Sequence, residues 1–146
     1  CLKFEKSESP LRLTGFCDSD WGASVKDRRS ITGYNFQLSQ DGPLISWKSR
    51  KQQTVALSTC EEEYISLACA VQEAKFLKQL CNDMTIATSD VLVNVDNQGT
   101  INLAKNPVNH QRSKHIDIKY HFIRTEIQAG TIMWLTFLQS PLLKLN

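Results

Sequence analysis

Three acidic residues stand where a carboxylate is unstable alone. Asp18 closes the stretch Leu11 to Cys17, Asp96 closes the run Val91-Leu92-Val93-Asn94-Val95, and Glu63 lies inside a long periodic segment that opens at Ser58. Along that segment Tyr64, Leu67, Val71, Ala74, Leu77 and Cys81 share one side at the helical period. With Leu67 as the centre, Glu63 lies about 40° away, whereas Glu61 and Glu62 lie about 120° and 140° away on the polar side. One of the three glutamates is therefore expected in the core, where its charge needs a cation or a hydrogen-bond donor. Crowded carboxylates repel, and a hard divalent cation bound through oxygen relieves that repulsion most directly. Two Mg²⁺ ions about 3.5–4 Å apart in such a cluster would activate water and stabilise the leaving oxygen of a phosphodiester. Each acid also has an ordinary explanation, the two aspartates as strand-end turn formers and Glu63 as a first-turn acid favoured by the helix macrodipole. The joint pattern fits those explanations less well, because the stripe singles out one Glu and both strand ends can face it.

The elements that must position these acids follow from periodicity. Residues 11–17 read as a strand running into a polar turn at Asp18. Ile31 to Leu38 is rich in β-branched and aromatic residues, with Gly33 marking a bulge or a close backbone approach. Gln40-Asp41-Gly42-Pro43 is turn chemistry, and Leu44 to Lys48 returns as a third strand, giving an antiparallel meander. Ser58 and Thr59, with Glu61 and Glu62 three residues on, offer two capping boxes for a helix from about 59 to about 83. Val91 to Val95 is short and apolar, as a strand buried on both faces is, and a right-handed parallel crossover through the long helix brings it beside the first strand. A short helix over 98–105 ends at Asn106-Pro107. A further helix over 114–128 carries Ile116, Tyr120, Ile123 and Ile127 on one side, Gly130 stops it, and Ile132 to Leu138 reads as the last strand. The predicted class is α/β: a mixed five-stranded sheet, three strands of it an antiparallel meander and the rest parallel, with flanking helices.

Composition limits the alternatives. The 146 residues are 41% hydrophobic and 22% charged, as in one folded domain that needs no metal or disulfide staple to form its core. A net charge of +2 does not by itself imply a nucleic-acid or membrane partner, but its distribution is uneven. Residues 52–98 hold seven acids against two bases, while Lys26, Arg28, Arg29, Lys48, Arg50 and Lys51 precede them and Lys105, Arg112, Lys114, Lys119 and Arg124 follow. Folding could make this an anionic site rimmed by cations, or leave it as solvated surface charge. Five scattered cysteines without a Cys-x-x-Cys pair indicate reduced thiols in an intracellular compartment rather than a disulfide framework. No run approaches the roughly 18 apolar residues of a membrane span, so no membrane partner is expected.

Several stretches resemble one family. Gly15-Phe16-Cys17-Asp18-Ser19-Asp20-Trp21-Gly22, Arg29-Ser30-Ile31-Thr32-Gly33-Tyr34, Ile45-Ser46-Trp47-Lys48-Ser49-Arg50-Lys51-Gln52, Ser58-Thr59-Cys60-Glu61-Glu62-Glu63-Tyr64, Val95-Asp96-Asn97-Gln98 and residues 106–124 around Arg112-Ser113-Lys114-His115-Ile116 occur together and in order. They resemble the ribonuclease H domain that closes the Pol polyprotein of copia-type LTR retrotransposons, over about residues 11–137. The resemblance implies an RNase H fold, two Mg²⁺ (or Mn²⁺) ions per site, and cutting of the RNA strand of an RNA/DNA hybrid during reverse transcription. It assigns the catalytic and metal-binding acids to Asp18, Glu63 and Asp96; Asp20 is the nearest rival to Asp18, with bonding to backbone in the turn before Trp21 as its ordinary role. It also implies a reverse transcriptase domain of the same polyprotein as partner, and a cytoplasmic retrotransposon particle, or the nucleus, as the compartment. On this division residues 1–10 end the linker from the reverse transcriptase, 11–138 form the RNase H-like domain, and 139–146 are a divergent tail.

The resemblance fails at the end, where related domains carry an Ala-Asp pair whose Asp supplies a fourth carboxylate. Here Phe137 is followed by Leu-Gln-Ser-Pro-Leu-Leu-Lys-Leu-Asn without an acid. Asp117, one turn before His121, is the nearest substitute. A catalytically degenerate remnant that binds nucleic acid is therefore the alternative to an enzyme, and the Pro141 to Leu145 tail admits a third reading as an interaction domain. Phosphate contacts are expected from Arg28, Arg29, Lys48, Arg50, Lys51, Arg112 and Lys114, and contacts to 2′-hydroxyls from Ser19, Asn97 and Gln98. His110, His115 and His121 miss the i, i+4 spacing of a helical zinc pair, and His110 or His115 could instead shuttle a proton. Trp21, Trp47 and Trp134 are assigned to packing rather than to stacking on bases.

Overall fold

The computed structural model describes residues 11–20, 28–39, 42–53, 55–56, 58–105 and 114–136, with the side chains of 98, 103–105, 114–117 and 134–136 left aside. Eight elements follow one another: β1 (Thr14–Asp20), β2 (Ile31–Gln37), β3 (Leu44–Lys51), α1 (Thr59–Asp83), β4 (Val91–Val95), α2 (Gln98–Lys105), α3 (Lys114–Gln128) and β5 (Ile132–Thr136). The sheet order is β3-β2-β1-β4-β5, with β1–β2 and β2–β3 antiparallel and β1–β4 and β4–β5 parallel. The meander and the parallel placement of β4 beside β1 are thus as the sequence indicates.

Strand limits differ from the sequence reading in ways the pairing explains. Leu11 makes only an isolated bridge to Thr88, so β1 proper starts at Thr14, and pairing with β2 carries it through Asp18 to Asp20. Strand β3 likewise runs on to Lys51 because Ile31, Thr32 and Gly33 still have partners there. Gly33 is not a bulge: Asp18, Gly33 and Ser49 stand in regular register, and the register shift falls between Phe36 and Gln37.

Helix α1 forms where Ser58, in extended conformation, caps it by accepting the Glu61 N–H at 3.2 Å. Its stripe is the core of the molecule, with Leu67, Val71 and Ala74 fully buried and Tyr64, Leu77 and Cys81 nearly so. They pack on Val91, Val93 and Val95 of β4 and on Cys17, Tyr34 and Phe36 of the meander. Polar contacts fix the placement: Tyr34 and Ser46 both donate to Glu73, at 3.2 and 2.6 Å, and Ser66 donates to the Asp18 carbonyl at 2.7 Å. Tyr64 stacks on Tyr120 of α3 with centroids 3.8 Å apart, which seats the helical turn that carries Glu63. In β4, the one polar residue of the apolar run is satisfied, since Asn94 donates to the Gly15 carbonyl at 2.9 Å.

Gly15 is required by this packing. A Cβ there would stand 2.3 Å from Cε1 of Phe36, whose side chain is fully buried. Gly15→Ala should destabilise the domain by about 1–3 kcal/mol through overpacking, read as a lower urea midpoint at unchanged m-value.

Candidate metal and active site

Three elements deliver the acids. Asp18 is central in β1, Asp96 follows the last residue of the neighbouring β4, and Glu63 sits in the second turn of α1, which lies across both strands. One carboxylate oxygen from each falls within 4.8 Å of the others. Asp18 and Asp96 face solvent, whereas Glu63 is only 6% exposed. The Ser19 N–H donates to Asp18 Oδ1 at 2.7 Å, which orients that carboxylate. Glu63 Oε2 is buried and makes no hydrogen bond of good geometry, the Ser19 hydroxyl being the one donor close to the carboxyl among the described residues.

The electrostatics carry the signature of crowding. Burial, with Asp96, Asp18 and Glu62 adding repulsion, pushes the Glu63 carboxyl from its ordinary 4.5 up to about 7, against the opposing pull of the Ser19 hydroxyl. Asp96 is raised by burial and by Asp18. Behind them Cys17 is 5% exposed, and burial with the same three acids pushes its thiol up, so it is a neutral packing residue rather than a nucleophile. An all-oxygen donor set with an orphaned buried oxygen fits a hard divalent cation, and the three residues that would hold it are Asp18, Glu63 and Asp96.

Glu62 corrects the helical-wheel reading. Expected on the polar side, it is 2% exposed. The wheel sees only the helix, whereas the chain leaving β3 wraps its first turn: Gln52 N–H donates to the Ser30 carbonyl at 2.8 Å, and Gln52 Nε2 donates to Thr32 Oγ1 at 3.0 Å and to the Glu62 carbonyl at 3.2 Å. Burial raises the Glu62 carboxyl, opposed first by the Ser30 hydroxyl. Two of the three glutamates are therefore buried, not one.

An open groove of ≈ 740 Å³ runs from Asp18 and Asp96 past Gly33 and Asn35 to Trp47, Lys48 and Ser49 on β3. Trp47, assigned to packing from sequence, is 69% exposed and lines this groove. The available signal was its place among polar residues in Ser46-Trp47-Lys48-Ser49, opposite Asn35. Lys48 shares the groove with the acids, Arg50 and Lys51 continue exposed along β3, Arg28 is exposed with a positive φ of 55°, and Arg29 is half-buried. Ser19 lies against the Glu62 and Glu63 carboxyls, and Asn97 Oδ1 accepts the Thr100 N–H at 3.1 Å, capping α2. Asp20, the rival to Asp18, ends β1 exposed and outside the three-acid cluster. Residues 1–10, Trp21, His110, Arg112 and the tail 139–146 lie outside the described residues, as do the side chains of Gln98, Lys114, His115, Asp117 and Trp134.

A raised carboxyl ties this site to stability. Folded Glu63 holds a proton that the unfolded chain has released between pH 4.5 and about 7, so the metal-free domain loses stability as pH rises through that window. Above it a divalent cation held by the three acids would take the proton's place. Mg²⁺ or Mn²⁺ should thus raise the Tm more at pH 8 than at pH 5.5, and Glu63→Gln should flatten the pH dependence and shrink the metal-induced shift.

No protein-family model matches the chain. It is 40% identical over 132 residues to the retrovirus-related Pol polyprotein from transposon TNT 1-94 of Nicotiana tabacum, which covers 90% of this chain and 10% of that protein. It is 38% identical over 130 residues to the corresponding polyprotein from transposon RE1 of Arabidopsis thaliana, covering 88% and 9%. The chain thus spans about a tenth of the length of these relatives. Among solved structures, LC11-RNase H1 in complex with an RNA/DNA hybrid superposes with a TM-score of 0.56 at 10% identity, covering 88% of each chain. The prototype foamy virus protease-reverse transcriptase superposes with a TM-score of 0.60 at 15% identity, covering 90% of this chain and 18% of that one. Among the described residues no helix is long and apolar enough to cross a membrane. A meander joined through one long helix to parallel strands, together with this kinship, makes the chain an RNase H-fold domain related to the retrovirus-related Pol polyproteins of plant transposons.

Proposed function

We propose that this domain is a ribonuclease H that hydrolyses the RNA strand of an RNA/DNA hybrid, with Asp18, Glu63 and Asp96 holding two divalent cations. The observation that carries the reading is the convergence of these three carboxylates within 4.8 Å, one of them buried with an orphaned oxygen. Bound there, Mg²⁺ or Mn²⁺ would supply Lewis-acid activation of water and stabilisation of the leaving oxygen. The chain's own residues do the rest. Glu63 gives up its proton when the site is filled, Ser19 N–H orients Asp18, and Lys48 offers a cation to the phosphates of a duplex lying in the groove, with Arg50 and Lys51 further along β3. Trp47 presents a flat apolar face to the sugars of that duplex. The hybrid bound to LC11-RNase H1 and the reverse transcriptase in the foamy virus protein support a hybrid substrate and a reverse transcriptase partner.

A labelled hybrid incubated with the chain and Mg²⁺ or Mn²⁺ should be cut in the RNA strand alone. Since a residue one step removed from a metal ligand typically matters 10–100-fold, replacing a ligand itself, as in Asp18→Asn, Glu63→Gln or Asp96→Asn, should slow cleavage by at least about 100-fold. Cleavage surviving Asp96→Asn would refute the assignment. Hybrid affinity that weakens with salt, without product, would mark a binding remnant instead. Trp47→Ala should raise the Kd for the hybrid roughly tenfold, a loss of about 1.4 kcal/mol, while leaving the metal-induced Tm shift unchanged.

A further inference from the structure

Helix α1 is buried along one side, yet its C-terminal half and the C-cap Met84 carry three large apolar side chains away from it. Phe76, Leu80 and Met84 follow one another at four-residue spacing and are 59%, 41% and 59% exposed. Phe76 lies about 180° from Leu67 around the helix, and the three rise about 12 Å along it. Exposed Gln72, Gln79 and Asp83 flank them, with Gln79 donating to Asp83 at 2.8 Å. An apolar strip with a polar border is the anatomy of a docking surface.

The strand pairing indicates what covers it. Leu11 is tied to the segment just past Met84: its N–H donates to the Ala87 carbonyl at 3.3 Å, and Ser89 N–H donates to the Leu11 carbonyl at 3.0 Å. Polypeptide entering the domain therefore starts beside the end of the strip. The relatives are about ten times longer than this chain. Ten residues reach at most about 33–36 Å, so in such a polyprotein a folded mass preceding residue 1 would be held within reach of the strip at an effective concentration of order millimolar. We propose that Phe76, Leu80 and Met84 seat an apolar surface of the polypeptide upstream of this domain in the longer polyprotein, an inference that rests on the Pol reading. Glu63 lies about 20 Å from Phe76 along the helix axis, so the occupant leaves the acids and their groove open.

Hydroxyl-radical footprinting of the 146-residue chain, compared with the same chain extended by the polypeptide encoded immediately upstream, tests this. Oxidation of Phe76 and Met84 should fall several-fold on extension, while exposed Trp47 and Ile118 stay unchanged. In the extended protein, Phe76→Glu with Leu80→Glu should return Met84 to the rate seen in the short chain. Equal oxidation of Phe76 and Met84 in the two wild-type chains overturns the proposal whether or not the double variant folds. So does concentration-dependent protection in the short chain, which would make a second copy the occupant. Neither readout involves cleavage, so a protected strip on a protein that cuts nothing would leave this inference standing while the nuclease reading falls.

Discussion

The repulsion among three carboxylates is the constraint around which this domain is organised. Like charges this close repel strongly, and the cost grows where one of them is taken out of water. Asp18, Glu63 and Asp96 are drawn to such distances from three separate elements, and Glu63 is also taken out of water. The fold tolerates this because α1 is held to the sheet by contacts that do not involve the three carboxylates. Ser66 grips the Asp18 carbonyl, Glu73 collects two hydroxyls from β2 and β3, and Tyr64 is stacked on α3. The residual strain appears as raised carboxyls, which a proton relieves at low pH and a doubly charged ion would relieve above it.

The same arrangement organises the surroundings. Cations border this negative centre: Lys48, Arg50 and Lys51 are spread along the edge strand that forms one wall of the groove or continues beyond it, which is what the proposed polyanionic substrate would require. Trp47, among those bases, supplies flat apolar area where the charge falls away. The end of α1 that carries Glu63 and its exposed apolar end are separated along one helix, so under the proposed roles a substrate and a docked polypeptide would not compete for the same surface.

Errors in reading the sequence fall where one element's pattern is overridden by a neighbour. Glu62 looked solvated on the helical wheel, but Gln52, Ser30 and Thr32 cover the first turn from outside the helix. Gly33 looked like a bulge, yet pairing on both sides keeps it in register. Trp47 looked like packing by residue type, although its strand-mates are polar and its side chain faces the groove.

What the chain determined by itself was periodicity and its consequences: eight elements in order, the cap at Ser58, the buried stripe of α1 and the choice of Glu63 over Glu61 for its inner side. These follow from local spacing, because hydrophobic burial selects a face wherever the repeat is regular. Only the tertiary structure decided that Asp18, Glu63 and Asp96 meet, that Glu62 is enclosed beside them, and that Phe76, Leu80 and Met84 remain outside. Those outcomes depend on which strand lies next to which and on what wraps the helix ends. They are distances between residues far apart in the chain, and no local pattern of residue types encodes them.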